Sequence, residues 1–268
     1  MSGTKVVKLK LDGDGPSQKL PKLKEPPIED TLKLYDRLEV DADFLYKREY
    51  ADMLKAAGGV NLMPEQMQEV LSELEKKHGD EKNYPKKAGL FITALIQNSS
   101  QERFELDAKK ALSYVGCRLK GGKDIKIKGV LGDYTGAEME DGSITVLGSA
   151  SDSTGRDMRG GKIHVEGSVN GYTGMQMKAG EITVMGHAGD CTGHLMENGK
   201  IKVMQDVGRL TGFNMKGGEI WVGGNAHMDT GSFMGGGKIY VVGGITHIDK
   251  DSIKGGEIFA EGSKVWPE

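Results

Sequence analysis

The side chains that could perform acid–base chemistry in this sequence are carboxylates that share one position of a repeat. Glu138, Asp157 and Gln176 follow one another at intervals of 19 residues, and Leu195 ends the series. An enzyme of the polysaccharide-processing type would need several carboxylates on adjacent repeats of one face, to supply an acid and a base. Because only two of these four residues are acids, we expect no catalytic residue in this chain.

The residue types that bind metals do not fall into a metal-binding pattern either. The histidines lack the spacing of HExxH or CxxC sites, and His187 and His194 have no third ligand in register. Asp133, Asp152 and Asp190 share one register, as they would in a calcium-binding repeat. Their series is interrupted by residues without a carboxylate, which are Gly171, Arg209 and Met228. We therefore expect neither a metal nor a cofactor in this chain.

Length, charge and composition exclude several classes of function. The chain has 268 residues and a formal net charge of −3, which offers no basic face for nucleic acid. No apolar run approaches the ~18 residues of a membrane span, and residues 1–10 lack the apolar core of a secretory signal. Cys117 and Cys191 form neither a disulfide framework nor a metal motif, so we expect a cytoplasmic protein.

A strict repeat of 19 residues must position the side chains of the second half. Its isoleucines are Ile125, Ile144, Ile163, Ile182, Ile201, Ile220, Ile239 and Ile258. Two residues after each isoleucine stands another apolar residue, most often valine, which indicates a short strand with one face inward. A fixed period of this length is the signature of a solenoid, in which each repeat forms one coil and buries its apolar face on its neighbours.

Further columns of the repeat support the same architecture. Around Ile163, for example, glycine stands at Gly161 and Gly167, a Thr-Gly pair begins at Thr154, and Met158 follows. Glycine permits the backbone corners of a coil, and methionine fills an irregular corner. The sequence therefore predicts a mainly β protein, with a parallel β-helix of about eight coils over residues 111–264. The two cysteines would then lie four coils or ~19 Å apart, too far to form a disulfide.

The first third of the chain differs in composition. Residues 1–30 hold several prolines and lysines and are predicted to form an extended arm. Residues 31–110 are predicted to form a small helical module that caps the β-helix or docks another protein. Its helices are expected as one or two over 30–57, one over 64–77 and one over 86–98, followed by a strand at 104–106. Residues 265–268 are assigned to a C-terminal tail.

One outward column of the repeat is aromatic in three consecutive coils. Trp221, Tyr240 and Phe259 are each flanked by the inward isoleucine and the next apolar residue, so they should form an exposed stripe. The next outward column contributes the apolar residues Leu147, Met185, Met204 and Val242. Aromatic residues and methionine are enriched at protein interfaces. We predict an interface at Trp221, Tyr240, Phe259, Met185, Met204 and Val242, covered either by a partner or by the N-terminal helices of the chain.

The unit G-x-x-M-x-x-G-x-I-x-V-x-G, which runs from Gly155 to Gly167, resembles the repeat of the GXGXG family. The resemblance covers residues 113–262 and implies a right-handed parallel β-helix. The family includes the GXGXG-repeat subunit of formylmethanofuran dehydrogenase and the C-terminal domain of the large glutamate synthase subunit. In both, the β-helix is a non-catalytic element that holds catalytic units in position, and the cofactors lie on other subunits or domains.

The resemblance implies a scaffold subunit of a multi-subunit redox enzyme, in complex with catalytic subunits that carry molybdenum- or tungsten-pterin, iron–sulfur clusters or flavin. Taken as a free-standing chain with an N-terminal module, the layout is most similar to the GXGXG-repeat subunit of formylmethanofuran dehydrogenase, an enzyme of CO2 reduction to the formyl level in one-carbon metabolism and methanogenesis. The unbroken 19-residue spacing departs from that subunit, whose middle coils carry a longer insertion. The alternatives are a separately encoded GXGXG subunit of glutamate synthase or of another oxidoreductase, and a β-helix enzyme acting alone.

Overall fold

The computed structural model describes residues 28–40 and 46–267, so most of the arm predicted over residues 1–30 lies outside the described residues. The predicted helical module is confirmed, and its segment 30–57 forms two helices. The helices are α1 (Ile28–Arg37), α2 (Tyr46–Ala56), α3 (Pro64–His78) and α4 (Tyr84–Asn98), with a 3-10 turn at Ala57–Gly59. Among the described residues, no helix combines the length and the apolar character that a bilayer crossing requires.

Within the described residues, the predicted solenoid is confirmed as one ten-stranded sheet in which each strand neighbours the next one along the chain. The strands are β1 (Arg103–Asp107), β2 (Asp124–Lys128), β3 (Ser143–Val146), β4 (Arg159–Val165), β5 (Ala179–Val184), β6 (Lys200–Val203), β7 (Glu219–Val222), β8 (Gly235–Val241), β9 (Gly255–Ala260) and β10 (Ser263–Trp266). Strands β1 to β9 pair in parallel, and β10 pairs antiparallel to β9. Each coil therefore contributes one strand to a common strand face.

The core consists of columns of identical or similar residues stacked along the solenoid. Ile144, Ile163 and Ile182 are direct partners on successive strands, and each is almost fully buried. A second inward column forms isolated parallel bridges, as between Val169 and Ala188. The methionine column, represented by Met158, is fully buried at a corner. Stacking like on like at ~4.8 Å leaves few gaps, because each side chain meets a neighbour of its own shape.

The Thr-Gly pair forms the corner opposite the strand face. Thr154 is fully buried, and its hydroxyl donates a hydrogen bond to the carbonyl of Ser151 at 3.3 Å. Gly155 has a φ of +69°, and a β-carbon there would collide with Cδ1 of Ile182 in the next coil. Glycine is therefore required at this position both by the left-handed backbone and by the close approach of the core.

The helical module closes the N-terminal end of the solenoid. A β-carbon at Gly89 of α4 would collide with the carbonyl oxygen of Ser113, so the helix backbone lies directly against the first coil. Thr93 in the same helix accepts a hydrogen bond from the N–H of Gly116 at 2.9 Å. The buried ammonium of Lys123 donates to the carbonyl of Ser99 at 2.6 Å. These contacts shield the first coil from water, as the end of a solenoid requires.

The sheet extends beyond the predicted coils at both ends. The strand predicted at 104–106 is confirmed as β1, in which Phe104 and Leu106 take the places of the isoleucine and valine of the repeat and pair with Ile125 and Ile127. Strand β10 reaches into the segment 265–268 that was assigned to a tail. Strand β10 runs in the opposite direction to β9, so a repeat pattern that describes only parallel coils does not predict it.

Candidate interaction surfaces

The predicted aromatic column forms a continuous stack on the strand face. Because Trp221, Tyr240 and Phe259 are direct partners on β7, β8 and β9, their side chains leave the sheet side by side. The rings of Trp221 and Tyr240 are stacked with centroids 4.1 Å apart and planes 20° apart, and those of Tyr240 and Phe259 are 4.9 Å and 11° apart. Trp221 is 39% exposed, and the other two rings are half-buried by their neighbours. We name these three residues the strand ladder.

Charged residues beside the strand ladder neutralise one another. Glu219 accepts a hydrogen bond from the indole N–H of Trp221 at 3.2 Å and pairs with Lys200 at 3.1 Å. Glu257 lies 2.9 Å from both Lys264 and Lys238. The hydrogen bond from Lys264, followed by that from Lys238, lowers the pKa of Glu257 to about 2. The charges that border the rings thus already have opposite partners, which reduces the cost of excluding water from this face.

The remaining predicted interface residues widen this apolar surface. They lie in the outward column that follows the strands, and Met185, Met204 and Val242 are all exposed, with Val242 at 67%. The structure thus brings all six predicted residues to one side of the solenoid. The helices pack at the opposite end, where α3 and α4 contact β1 and the first coil. Among the described residues, the N-terminal helices therefore do not cover the strand ladder.

Glu138 and Asp157, the two acids of the predicted carboxylate series, form ion pairs within the protein. Glu138 is only 6% exposed and pairs with Lys47 of α2 at 3.0 Å, with Arg118 and Arg159 slightly farther away. Asp157 pairs with the neighbouring Arg156 at 3.4 Å. Glu138 thus links a helix to the solenoid through its buried carboxylate, which is surrounded by three exposed cationic side chains.

Two aspartates of the interrupted series bind the backbone of a neighbouring coil. Asp152 accepts a hydrogen bond from the backbone N–H of Gly171 at 2.8 Å, and Asp190 accepts one from Arg209 at 2.7 Å. In each case the carboxylate binds the backbone of the following coil. Within residues 28–40 and 46–267, no group of three potential ligands from histidine, cysteine, aspartate and glutamate is arranged to hold a metal ion.

A second aromatic surface, on the corner opposite the strand face, escaped the sequence analysis. Tyr172, His194, Phe213 and Phe233 form a chain of ring contacts with centroid distances of 6.3, 5.3 and 5.4 Å. Tyr172 is 43% exposed and Phe233 47%, and the two rings between them are half-buried. We name these four residues the turn cluster. These four residues occupy three different positions of the repeat, so no single column of the sequence predicts them. A comparison of neighbouring columns in adjacent coils could have found them.

Burial shifts the pKa values of the two cysteines and of His194. Complete burial raises the pKa of the Cys117 thiol far above its usual range, and burial also raises the pKa of Cys191. Both thiols therefore stay protonated and unreactive near neutral pH. Burial lowers the pKa of His194, so its imidazole is neutral at pH 7. The two cysteines are unpaired, as their predicted separation requires.

Comparison with known proteins adds one partial match. A Kelch-motif family model matches residues 226–268, about the last sixth of the chain. No curated protein gives a significant match. Kelch repeats form four-stranded blades of a β-propeller. Here β8 and β9 of the matched segment pair in parallel and continue the solenoid, so these residues form coils and not a propeller blade.

Proposed function

We propose that this chain is a non-catalytic scaffold component of a multi-subunit oxidoreductase, most similar to the GXGXG-repeat subunit of formylmethanofuran dehydrogenase. In this role the solenoid holds catalytic subunits that carry molybdenum- or tungsten-pterin and iron–sulfur clusters for CO2 reduction to the formyl level. The GXGXG-type repeat supports the family part of the proposal. We place the complex in the cytoplasm.

The exposed strand ladder is the observation that carries the scaffold role. Trp221, Tyr240 and Phe259 present an apolar stripe on a rigid sheet, next to exposed Met185 and Val242. Large exposed apolar patches mark protein contacts, and aromatic anchors dominate the energy of such contacts. Because β7, β8 and β9 fix the rings before a partner arrives, little conformational entropy is lost on binding.

The carboxylates support the non-catalytic part of the proposal. A general acid or base must reach a substrate within hydrogen-bonding distance. The buried carboxylate of Glu138 instead pairs with the exposed ammonium of Lys47, and the Asp152 side chain binds the backbone of the next coil. An enzyme acting on its own along this face would have to break these contacts.

A second candidate is a separately encoded GXGXG subunit of glutamate synthase. The observation that favours it is the unbroken register from β2 to β9, in which Ile144, Ile163 and Ile182 and their successors pair without an inserted loop. In that case the partners would carry flavin and a glutaminase centre.

Affinity purification of the full chain from its own host, followed by identification of the stoichiometric partners, distinguishes these candidates. Molybdenum or tungsten together with iron–sulfur subunits is the result expected for the first, whereas flavin with a glutaminase subunit would transfer the assignment to the second. A chain that purifies alone would contradict the scaffold role.

The strand ladder can be tested in the same purification with a matched pair of variants. Tyr240→Asp places a charge in the middle of the ladder and should reduce the recovery of the partner at least tenfold. Thr145→Asp makes a similar change in the same outward column farther along the solenoid and should leave the recovery unchanged. Equal recovery with both variants would rule out the ladder as the contact.

A further inference from the structure

The turn cluster is a preformed apolar surface distinct from the strand ladder. The backbone beneath its rings is fixed by hydrogen bonds between coils, from the N–H of Leu195 to the carbonyl of Phe213 at 2.9 Å and from the N–H of Gln176 to the carbonyl of His194 at 2.8 Å. Rigid support of this kind lowers the entropy cost of binding a partner.

The same corner of the first coils is already covered by a helix of this chain. Tyr114 and Tyr134 stack there with centroids 4.8 Å apart, and Tyr114 is nearly buried. Tyr50 of α2 is 3% exposed beside Cys117, which occupies the repeat position that His194 and Phe213 hold farther along. The intrachain interface of α2 thus shows how this corner receives a helix.

The covered part of the corner ends where the repeat becomes charged. Lys47 of α2 pairs with Glu138, and in the following coil Arg156 pairs with Asp157. Beyond that pair, aromatic rings recur on the corner from Tyr172 to Phe233, with polar side chains such as Asn214 between them. The turn cluster therefore continues a helix-binding surface past the point that α2 reaches.

We propose that the turn cluster binds an amphipathic helix of a partner protein, in line with α2. This inference rests on the proposed scaffold function and assigns a second, separate contact to it. The ring centroids of the cluster are 5.3 to 6.3 Å apart, which matches the ~5.4 Å pitch of an α-helix. Successive turns of a helix lying along the solenoid axis would each meet one ring.

The size of the turn cluster favours a helix over a second copy of this chain. Four coils span about 15–20 Å, which is the length of a helix of about 11 residues. A strip of that length and the width of one helix covers on the order of 200 Å², far below the ~800 Å² per partner of a stable symmetric contact. α2, with 11 residues, already provides an example of a helix of this length on the same corner.

The chemistry of the cluster specifies the helix further. Its contact face should carry apolar residues at positions i, i+3 or i+4, and i+7, as helices bound in grooves do. The Nδ1 atom of His194 is buried and has no hydrogen-bond partner within the described part of the chain. Because this atom is buried and out of reach of a partner, the exposed rings alone specify the contact face of the helix.

Site-specific photo-crosslinking in the native complex tests this inference. Benzoylphenylalanine is placed in the full chain at Phe213, at Tyr240 or at exposed Lys216, and the crosslinked peptides are sequenced. We expect Phe213 to crosslink to one partner segment with apolar residues at helical spacing, and Lys216 to give no such product. Crosslinks from Phe213 only to another copy of this chain or to its residues 1–27, to a segment without helical spacing, or to nothing would overturn the inference.

The Tyr240 probe separates a failure of this inference from a failure of the proposed function. If Tyr240 crosslinks to a redox subunit and Phe213 does not, the scaffold role survives and the helix site is lost. If neither residue finds a partner, both are wrong. Variants provide a second measurement: Phe213→Asp should lower the retention of the crosslinked partner at least tenfold, whereas Thr145→Asp on the strand face, away from the turn cluster, should retain it. Unchanged retention with Phe213→Asp would also overturn the helix site.

Discussion

The strand ladder and the turn cluster are both aromatic surfaces of one solenoid, yet their rings are arranged differently. Trp221, Tyr240 and Phe259 are in register on parallel strands, which forces their rings into a stack with planes 11 to 20° apart. In the turn cluster, Phe213 meets its two neighbouring rings at 72° and 63°. His194 and Phe213 share one repeat position but are not stacked, so it is the pairing on parallel strands, and not the repeat alone, that stacks the rings of the strand ladder.

The difference teaches how a repeat protein can offer two kinds of binding site without changing its fold. On the parallel strands, the rings of the strand ladder stack with centroids only 4.1 to 4.9 Å apart. On the corner, the rings from Tyr172 to Phe233 are inclined to one another, with centroids 5.3 to 6.3 Å apart. The first arrangement suits a broad, flat partner surface, and the second suits a helix.

The largest expected effect comes from a substitution that distorts the turn corner and leaves the strand face unchanged. Gly174, between Tyr172 and Met175, has a φ of +65°, and a β-carbon there would collide with Cδ1 of Ile201. Gly174→Ala should lower the free energy of unfolding by about 3 kcal/mol, through backbone strain and overpacking of the core. Urea denaturation measures this loss.

The control for Gly174→Ala is Gly58→Ala, because no atom lies within 4 Å of a β-carbon at Gly58 and its backbone is not left-handed. This variant should unfold within about 0.5 kcal/mol of the wild type, as surface changes usually do. Equal stability of the two variants would show that the corner does not depend on its glycines.

A smaller effect on stability is expected when a threonine is replaced by valine, and its size should differ between the two faces. The hydroxyl of buried Thr192 donates to the carbonyl of Gly189 at 3.1 Å, whereas Thr183 stands half-exposed in the outward column of the strand face. Thr192→Val should cost about 1–2 kcal/mol, because the hydrogen bond is lost in a buried setting. Thr183→Val should be nearly neutral, because valine suits a strand. A larger loss from Thr183→Val than from Thr192→Val would contradict the assigned roles.

The smallest expected effects are changes in the pH dependence of the melting temperature, which involve a different residue on each surface. Lys264 and Lys238 lower the pKa of Glu257 to about 2, so the carboxylate of the folded state stabilises the protein at pH values above the unfolded pKa of ~4.3. That stabilisation is lost as the pH falls from about 4 to 2. Glu257→Gln should therefore flatten the decrease in melting temperature over this range. An unchanged slope in Glu257→Gln would refute the contribution of this pair.

On the turn cluster, burial lowers the pKa of His194 below its usual value. The folded state then binds its proton less readily than the unfolded state, so stability is full above the unfolded pKa of ~6.5 and decreases as the pH falls below it. His194→Phe should remove this acid-side decrease in melting temperature below about pH 6.5. A decrease identical to that of the wild type would mean that His194 is not responsible.

The sequence predicted the solenoid because each core position is decided by one physical requirement repeated in every coil. Isoleucine at Ile163 and glycine at Gly155 satisfy requirements of local packing and backbone that recur every 19 residues. The strand ladder was predictable for the same reason, since its three rings share one repeat position. Strand β10 was not, because its antiparallel pairing with β9 depends on a reversal at Glu261 and Gly262 that occurs once.

The turn cluster could not be predicted from one column of the repeat. Tyr172, His194 and Phe233 come together only through the twist and offset of adjacent coils, which a sequence period does not specify. The buried role of Glu138 was equally hidden, because its partner Lys47 lies far earlier in the chain, in a helix outside the repeat. Contacts between a repeat and a non-repeating module depend on tertiary packing.

Native mass spectrometry of the complex purified from its host tests the scaffold role most directly. We expect the wild-type chain to appear in one stoichiometric assembly with redox subunits, and the Tyr240→Asp variant to appear as the free chain with an unchanged melting temperature. A wild-type chain of 28.9 kDa that is detected only by itself would contradict the scaffold role. A Tyr240→Asp chain that remains in the full assembly would contradict the assignment of the strand ladder as its contact.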